Sequence, residues 1–120
     1  MNFAEELPDA CPPSDAKDVP LTDVYRLSHT DNFTEGEFAS HAALGRTPPK
    51  SLNDMCRWSS CSLTTHPVVL KKLRKLKHRF ALKLSIPAGA GVSKRKEIHV
   101  DFWRYEHFDP STAVVTVEDI

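Results

Sequence analysis

From Phe80 onward the side chains alternate with a period of two. Phe80, Leu82, Leu84 and Ile86 point one way, and Ala81, Lys83 and Ser85 the other, which predicts a half-buried strand. Ile98, Val100 and Phe102 alternate with His99, Asp101 and Trp103 in a further strand. Val24, Tyr25 and Leu27 favour a strand over 21–27, and residues 113–117 read as a final one. Residues 58–63 fit a weaker strand, because serine is frequent there. Pro87-Ala88-Gly89-Ala90-Gly91 and Asp109-Pro110-Ser111 break the pattern as turns.

Helical spacing occurs in two places. Phe33-Thr34-Glu35-Gly36-Glu37-Phe38 fits a capping box, with Thr34 and Glu37 exchanging side-chain bonds to each other's amides. Phe33 and Phe38 stand at the staple positions, and Gly45 follows Leu44 as a stop, so a helix is predicted over 35–44. Thr65-His66-Pro67 opens a second helix over 67–78, where Val69, Leu73 and Leu76 recur with Leu70 beside them. Ser51 to Cys56 suggest a short helical turn. Residues 1–20 carry Pro8, Pro12, Pro13 and Pro20 among acidic residues and read as an extended arm draped over the domain. The pattern predicts one α+β domain over 21–120. It would be a mostly antiparallel sheet of about four or five strands packed by two helices, with the Pro-rich N-terminal arm across it.

Charge sharpens this picture. Lys and Arg together equal Asp and Glu, 16 against 16, yet residues 66–107 hold eleven bases against three acids, and residues 1–65 hold five against ten. The basic block centres on Lys71, Lys72, Arg74, Lys75, Lys77 and Arg79. Such segregation implies a polyanionic partner, or an acidic part of the chain folded back on the basic part. No apolar run approaches the roughly 18 residues of a membrane span, and the acidic N-terminus is unlike a secretory signal. Three cysteines are an odd number, which suggests free thiols and a reducing cytoplasm.

Several constellations could carry chemistry. The basic helix presents cations on one surface, as phosphate binding requires, although a solvated face has the same appearance. Cys56-x4-Cys61-x4-His66, with Cys11, has a metal-like rhythm, but structural zinc prefers tighter pairs, so no metal is expected. His99 and Asp101, two apart on one strand, share a face and could orient a general base; a solvent-facing pair beside Trp103 is the plainer reading. There is no P-loop, nucleophile elbow or dinucleotide glycine fingerprint.

Tyr25-Arg26, then Ser59-Ser60-Cys61-Ser62, then Glu106 follow the order of functional residues in mono-ADP-ribosyltransferases, and the chain resembles that family in this respect. The resemblance implies Arg26 on the phosphates of NAD, Ser60 in the strand shaping the nicotinamide pocket, and Glu106 on the ribose. The chain departs from the family in lacking a true Ser-Thr-Ser run. Arg104, moreover, stands two residues before Glu106 where a Glu or Gln would be expected, and the chain is short for a complete transferase. A second resemblance covers most of the chain. Residues 7–13 (Leu7-Pro8-Asp9-Ala10-Cys11-Pro12-Pro13), Val24-Tyr25-Arg26-Leu27, Phe38-Ala39-Ser40-His41 and the stretch from Ile98 to Trp103 are similar to a group of short, uncharacterised bacterial proteins. It implies a bacterial, intracellular origin and one domain, and no activity.

These observations favour a small cytoplasmic binding or accessory module without cofactor, engaging an acidic protein surface or nucleic acid, and no membrane, through the basic helix at 67–79. The alternative is an NAD-using transferase-like enzyme or a degenerate relative of one.

Overall fold

The computed structural model describes residues 2–51, 53–73 and 80–120. Six strands form one antiparallel sheet: β1 (Leu21–Ser28), β2 (Cys61–Thr64), β3 (Phe80–Ile86), β4 (Gly91–Lys96), β5 (His99–Arg104) and β6 (Val114–Asp119). Their spatial order is β4-β5-β2-β1-β3-β6. Among the described residues there are two α-helical stretches, α1 (Met55–Trp58) and α2 (Val68–Leu73), and 3-10 turns occupy Glu35–Phe38 and Pro110–Ala113. The α+β class is as expected, with six strands in place of four or five. The second of the predicted helices is α2; its predicted continuation through Arg74, Lys75, Lys77 and Arg79 lies outside the described residues.

The extra strand is β4. Lys94, Arg95 and Lys96 are all exposed, so no period of two marks it. It is recruited by its neighbour: Gly91 to Lys96 pair residue by residue with Arg104 to His99. The hairpin turns through Glu97-Ile98, with Glu97 at φ 56°, a conformation that Asn or Gly would have signalled and Glu does not. Gly91 is required at the start of β4, since a Cβ there would stand 2.4 Å from the Trp103 carbonyl oxygen.

One sheet face carries the core. Val24, Leu63, Cys61, Leu82, Leu84, Val100 and Phe102 are buried there, with Val24 opposite Leu84, Cys61 opposite Phe102 and Leu63 opposite Val100, and Phe38 and Ala113 close over them. The alternation read from Phe80 to Ile86 places Leu82, Leu84 and Ile86 there, all 2% exposed or less. On the other face α1 covers the β5 end, with the Trp103 indole donating to the Cys56 carbonyl at 3.1 Å.

The predicted helix over 35–44 is replaced by two separate turns. Thr34 makes no side-chain cap bond. The Glu37 carboxylate is held instead by the Ser28 hydroxyl (2.9 Å) and His29 Nδ1 (3.1 Å). Ala39 is extended at ψ 144°, which ends the first turn. Ser40 starts the second: its hydroxyl accepts from the Ala43 amide and its carbonyl from the Leu44 amide, and Gly45 closes it at φ 70°. Tertiary partners for Glu37 and for the 37–39 carbonyls outcompeted the local cap.

The arm is stitched to the sheet at both ends. Phe3 bridges Tyr105, and Lys17 exchanges two backbone bonds with Ser93 at the β4 edge. Between them the Glu5 carboxylate accepts from the Ser40 amide and hydroxyl. Acidic arm and basic sheet also meet directly, in Asp15–Lys94 at 3.2 Å. Cys11 is disulfide-bonded to Cys56, with Cα atoms 5.4 Å apart. The expectation of free thiols is thereby corrected for two of the three cysteines. The partners stand 45 residues apart, and an odd count hides a single bridge. Cys61 is the free thiol, and burial pushes its pKa up, so it is inert.

Two predictions follow from these linkages. Thiol titration of the unfolded, unreduced chain should find one reactive cysteine, and Cys56→Ser should lower stability by about 4 kcal/mol, the loop-entropy value for this separation. Three reactive thiols would remove the bridge. In chemical denaturation Thr34→Ala should change stability by less than about 0.5 kcal/mol, as for an unbonded surface side chain, whereas Ser40→Ala should cost about 2 kcal/mol, because it strips a buried partner from Glu5.

Candidate functional site

β1 and β2 pair at a single position, Tyr25 with Thr64. Beyond it the strands part, and Arg26 fills the opening. Its Nε donates to the Glu37 carbonyl (3.2 Å), one Nη to the Ser62 carbonyl (3.0 Å) and the other to the Ala39 carbonyl (3.1 Å). The guanidinium thus replaces a stretch of sheet ladder and fixes residues 37–39 beside the two strands.

A cavity of about 400 Å³ opens along this split. Tyr25, Thr64 and His99 form a row across β1, β2 and β5, because Tyr25 pairs with Thr64 and Thr64 with His99. Leu27 and Ser62, two residues along, extend the same surface, and Leu70 of α2 closes one side. The loop side contributes His29, Gly36, Glu37, His41, Leu44 and Arg46. The lining therefore holds two arginines, three histidines and one carboxylate, and that carboxylate is bonded to Ser28 and His29.

Arg46 and His41 form the outer wall. Arg46 Nη1 lies 2.9 Å from His41 Nδ1. A guanidinium only donates, so Nδ1 is the acceptor and the neutral ring keeps its proton on Nε2. The ring stacks on Trp58 at 4.4 Å, and the Trp58 indole donates to the Arg46 carbonyl at 3.1 Å. Burial, then the nearby charges of Arg46 and Arg26, lower the His41 pKa.

On the β5 side His99 Nε2 donates to Asp101 Oδ1 at 2.8 Å. The same carboxylate meets the Ser60 hydroxyl at 3.2 Å and Arg57 Nε at 3.4 Å. Asp101 is 6% exposed. The pair read as solvent-facing is thus a buried carboxylate orienting a half-buried imidazole, covered by α1. With Nε2–H fixed on Asp101, a neutral His99 has its lone pair on Nδ1, the arrangement of an oriented base.

The residues singled out in the sequence are distributed unevenly. Arg26 lines the cavity. Ser60 is 2% exposed at the end of α1, its hydroxyl 2.7 Å from the Arg57 carbonyl, and Ser62 is the serine that reaches the cavity. Glu106 is exposed in the turn after β5, where its amide donates to the Asn2 carbonyl. Arg26 lies level with Val100, and the last β5 residue, Arg104, is about 13 Å farther along the strand; Glu106 follows it. Lys71 and Lys72 are exposed on α2, next to the cavity-lining Leu70. Arg74, Lys75, Lys77 and Arg79 lie outside the described residues. Among the described residues no group of His, Cys, Asp and Glu is placed to hold a metal ion, and no helix is long and apolar enough to cross a membrane. Cys11 and Cys56 ligate each other, and Cys61 faces the core. Arg46 was not marked by any sequence pattern, and His41 stood out only through a resemblance; a loop brings both to the site.

No protein-family model matches the chain, and neither a curated protein nor a solved structure matches it.

Two outcomes test this geometry. Arg26→Gln should lower stability by about 3 kcal/mol, because buried carbonyls lose charge-assisted donors; an unchanged denaturation midpoint would dissolve the clamp. His41 has a lowered folded pKa, so its contribution to stability is present above the unfolded value of about 6.5 and is lost as pH falls through the folded value. A pH series of melting curves should show this decline in the wild type and a flatter profile in His41→Gln.

Proposed function

We propose that this protein is a small binding module that takes an acidic partner, protein or nucleic acid, on the surface where α2 meets the cavity. The observation that carries the reading is the lining of the cavity: two arginines and three histidines against one carboxylate already engaged. Lys71 and Lys72 stand on the helix that closes it, and Arg74, Lys75, Lys77 and Arg79 continue the same basic run in the sequence. Lys side chains on α2 would gather anionic groups by long-range attraction, and the arginine forks would hold them. The Cys11–Cys56 disulfide supports work in an oxidising compartment in preference to a reducing cytoplasm.

A second reading, an enzyme acting on NAD or a degenerate relative of one, is favoured by one observation: Arg26 and Ser62, from the two stretches that carried the resemblance, line one cavity. Glu106, the acid assigned by that resemblance, is not in the lining. Wild-type protein should release no nicotinamide from NAD above a boiled control. Release abolished by Arg26→Ala would put the enzyme first.

The module is tested by capture from native extract with wild type and a Lys71→Glu/Lys72→Glu variant. The variant should keep its melting temperature and lose the partner. With a nucleic-acid partner, affinity should fall steeply with salt, in proportion to the phosphates neutralised. With an acidic protein, salt should act mainly on the association rate. Identical partners for both proteins would make α2 a solvated face.

A further inference from the structure

We propose that the cavity captures a phosphate monoester on Arg46 and Arg26, and that capture draws one proton from solvent onto His41. The inference rests on the reading of this cavity as an anion site and adds its ligand class and its coupling to pH.

The argument starts from Arg46. Without ligand, its guanidinium donates to a neutral acceptor, His41 Nδ1, at 2.9 Å. Its backbone carbonyl is anchored by the Trp58 indole, and Trp58 also stacks on the His41 ring. The imidazole and the Arg46 main chain are therefore held, while the exposed guanidinium can turn. A bond to a neutral imidazole is weaker than a bidentate, charge-assisted pair with an oxyanion. An oxyanion entering the cavity takes the Arg46 fork and frees Nδ1. Arg26 donates with three of its N–H groups to carbonyls, and a guanidinium has five, so it keeps donors for the same ligand.

The proton follows from the reversed field. The charged and titratable groups around the cavity are Tyr25 and Arg26 on β1, His29 just after it, Glu37 in the 3-10 turn, Arg46 in the loop and His99 on β5, with Lys71 and Lys72 exposed on α2 and Arg57 of α1 paired to Asp101. The Glu5 carboxylate of the arm is bonded to Ser40, the residue before His41. Glu37 is held by Ser28 and His29, so burial and, after it, the charges of Arg46 and Arg26 lower the His41 pKa and disfavour its protonated form. A dianion on those arginines cancels their charge. The freed Nδ1 then accepts a proton from water and donates it as a hydrogen bond to the ligand oxygen; no covalent bond of the ligand forms or breaks.

The ligand class follows from charge and shape. Two arginines and a protonated histidine match a dianion better than a single carboxylate. About 400 Å³ exceeds what a bare phosphate needs, and Tyr25, Leu27, Leu44 and Leu70 offer an apolar wall for the organic part of an ester. A free small molecule and a phosphorylated end of a larger one present the same group.

Calorimetry with phenyl phosphate and phenyl sulfate tests the proposal on the full, disulfide-bonded chain. Phenyl phosphate should bind several-fold more tightly than phenyl sulfate at pH 8, where it is a dianion. Phenyl sulfate does not titrate in this range, so its affinity reports the protein's proton: it should rise on the order of tenfold from pH 8 to pH 6. In His41→Gln that rise should vanish, and Arg46→Gln should bind neither probe. The ring resonances of wild-type His41 should titrate at higher pH when phenyl phosphate saturates the site, a readout that holds even if a variant unfolds. An unmoved His41 titration, or pH-independent binding of phenyl sulfate, would overturn the proton coupling and leave the anion site standing. Binding of neither probe would overturn the inference and the cavity with it, while capture on α2 would still be decided by its own Lys variants. Equal affinity of bare inorganic phosphate and phenyl phosphate would overturn the ester.

Discussion

Arg26 reaches the carbonyls of Glu37, Ala39 and Ser62 from the middle of β1, and these three groups belong to two segments that would otherwise have no reason to meet. A continuous ladder between β1 and β2 would leave no room for residues 36–46. With the pairing reduced to Tyr25–Thr64, the guanidinium supplies the hydrogen bonds that the ladder gives up, and the loop wedges in. Everything distinctive about the site descends from this substitution. The loop delivers Glu37, His41 and Arg46; the parted strands expose Tyr25, Leu27, Ser62 and Thr64; the gap is the cavity.

The arm and α1 hold the wedge from outside. Glu5 fixes Ser40, the residue that begins the second turn of the loop, and the Cys11–Cys56 bridge ties the arm to the helix whose Trp58 stacks on His41. The same helix covers Trp103 and places Arg57 on Asp101, which orients His99 on the far side of the cavity. Two walls of the site are therefore linked through a four-residue helix and one disulfide. The segregated charge of the chain is partly resolved within it, through Asp15–Lys94 and Glu35–Arg104, while Lys71 and Lys72 of α2 stay exposed beside the cavity.

The histidines illustrate how the surroundings decide chemistry. His41 and His99 both line the cavity, and partners of opposite charge impose the same Nε2–H tautomer on them. Arg46 obliges His41 to present a lone pair at Nδ1, and Asp101 obliges His99 to donate from Nε2. One ring is thus set to gain a proton when its arginine leaves, and the other already shares a proton with a buried carboxylate.

The strands of the sheet were legible where apolar and polar residues alternate; in β3 the alternation follows a dry and a wetter face, and in β5 it is legible although the second face is also buried, under α1. β4 was not legible, since its second half is three exposed cations in succession and its buried positions are Gly91 and Ser93, so pairing with β5 defines it. The helix signal at 33–45 was a genuine local preference, and it lost to Arg26 and Ser28, which hold Glu37 and Ala39, and to Glu5, which holds Ser40, residues whose approach no local pattern encodes. Composition showed that basic residues are concentrated in one block, and order along the chain brought out Arg26. Only the tertiary structure decided that Arg26 shares a cavity with Ser62 in place of Ser60, that Glu106 stands outside it, and that Arg46 and His41 stand within it. Sequence alone determines short-range periodicity and charge because these act between near neighbours. A site assembled from a split sheet, an inserted loop and a disulfide across 45 residues depends on contacts that only the folded chain brings into range.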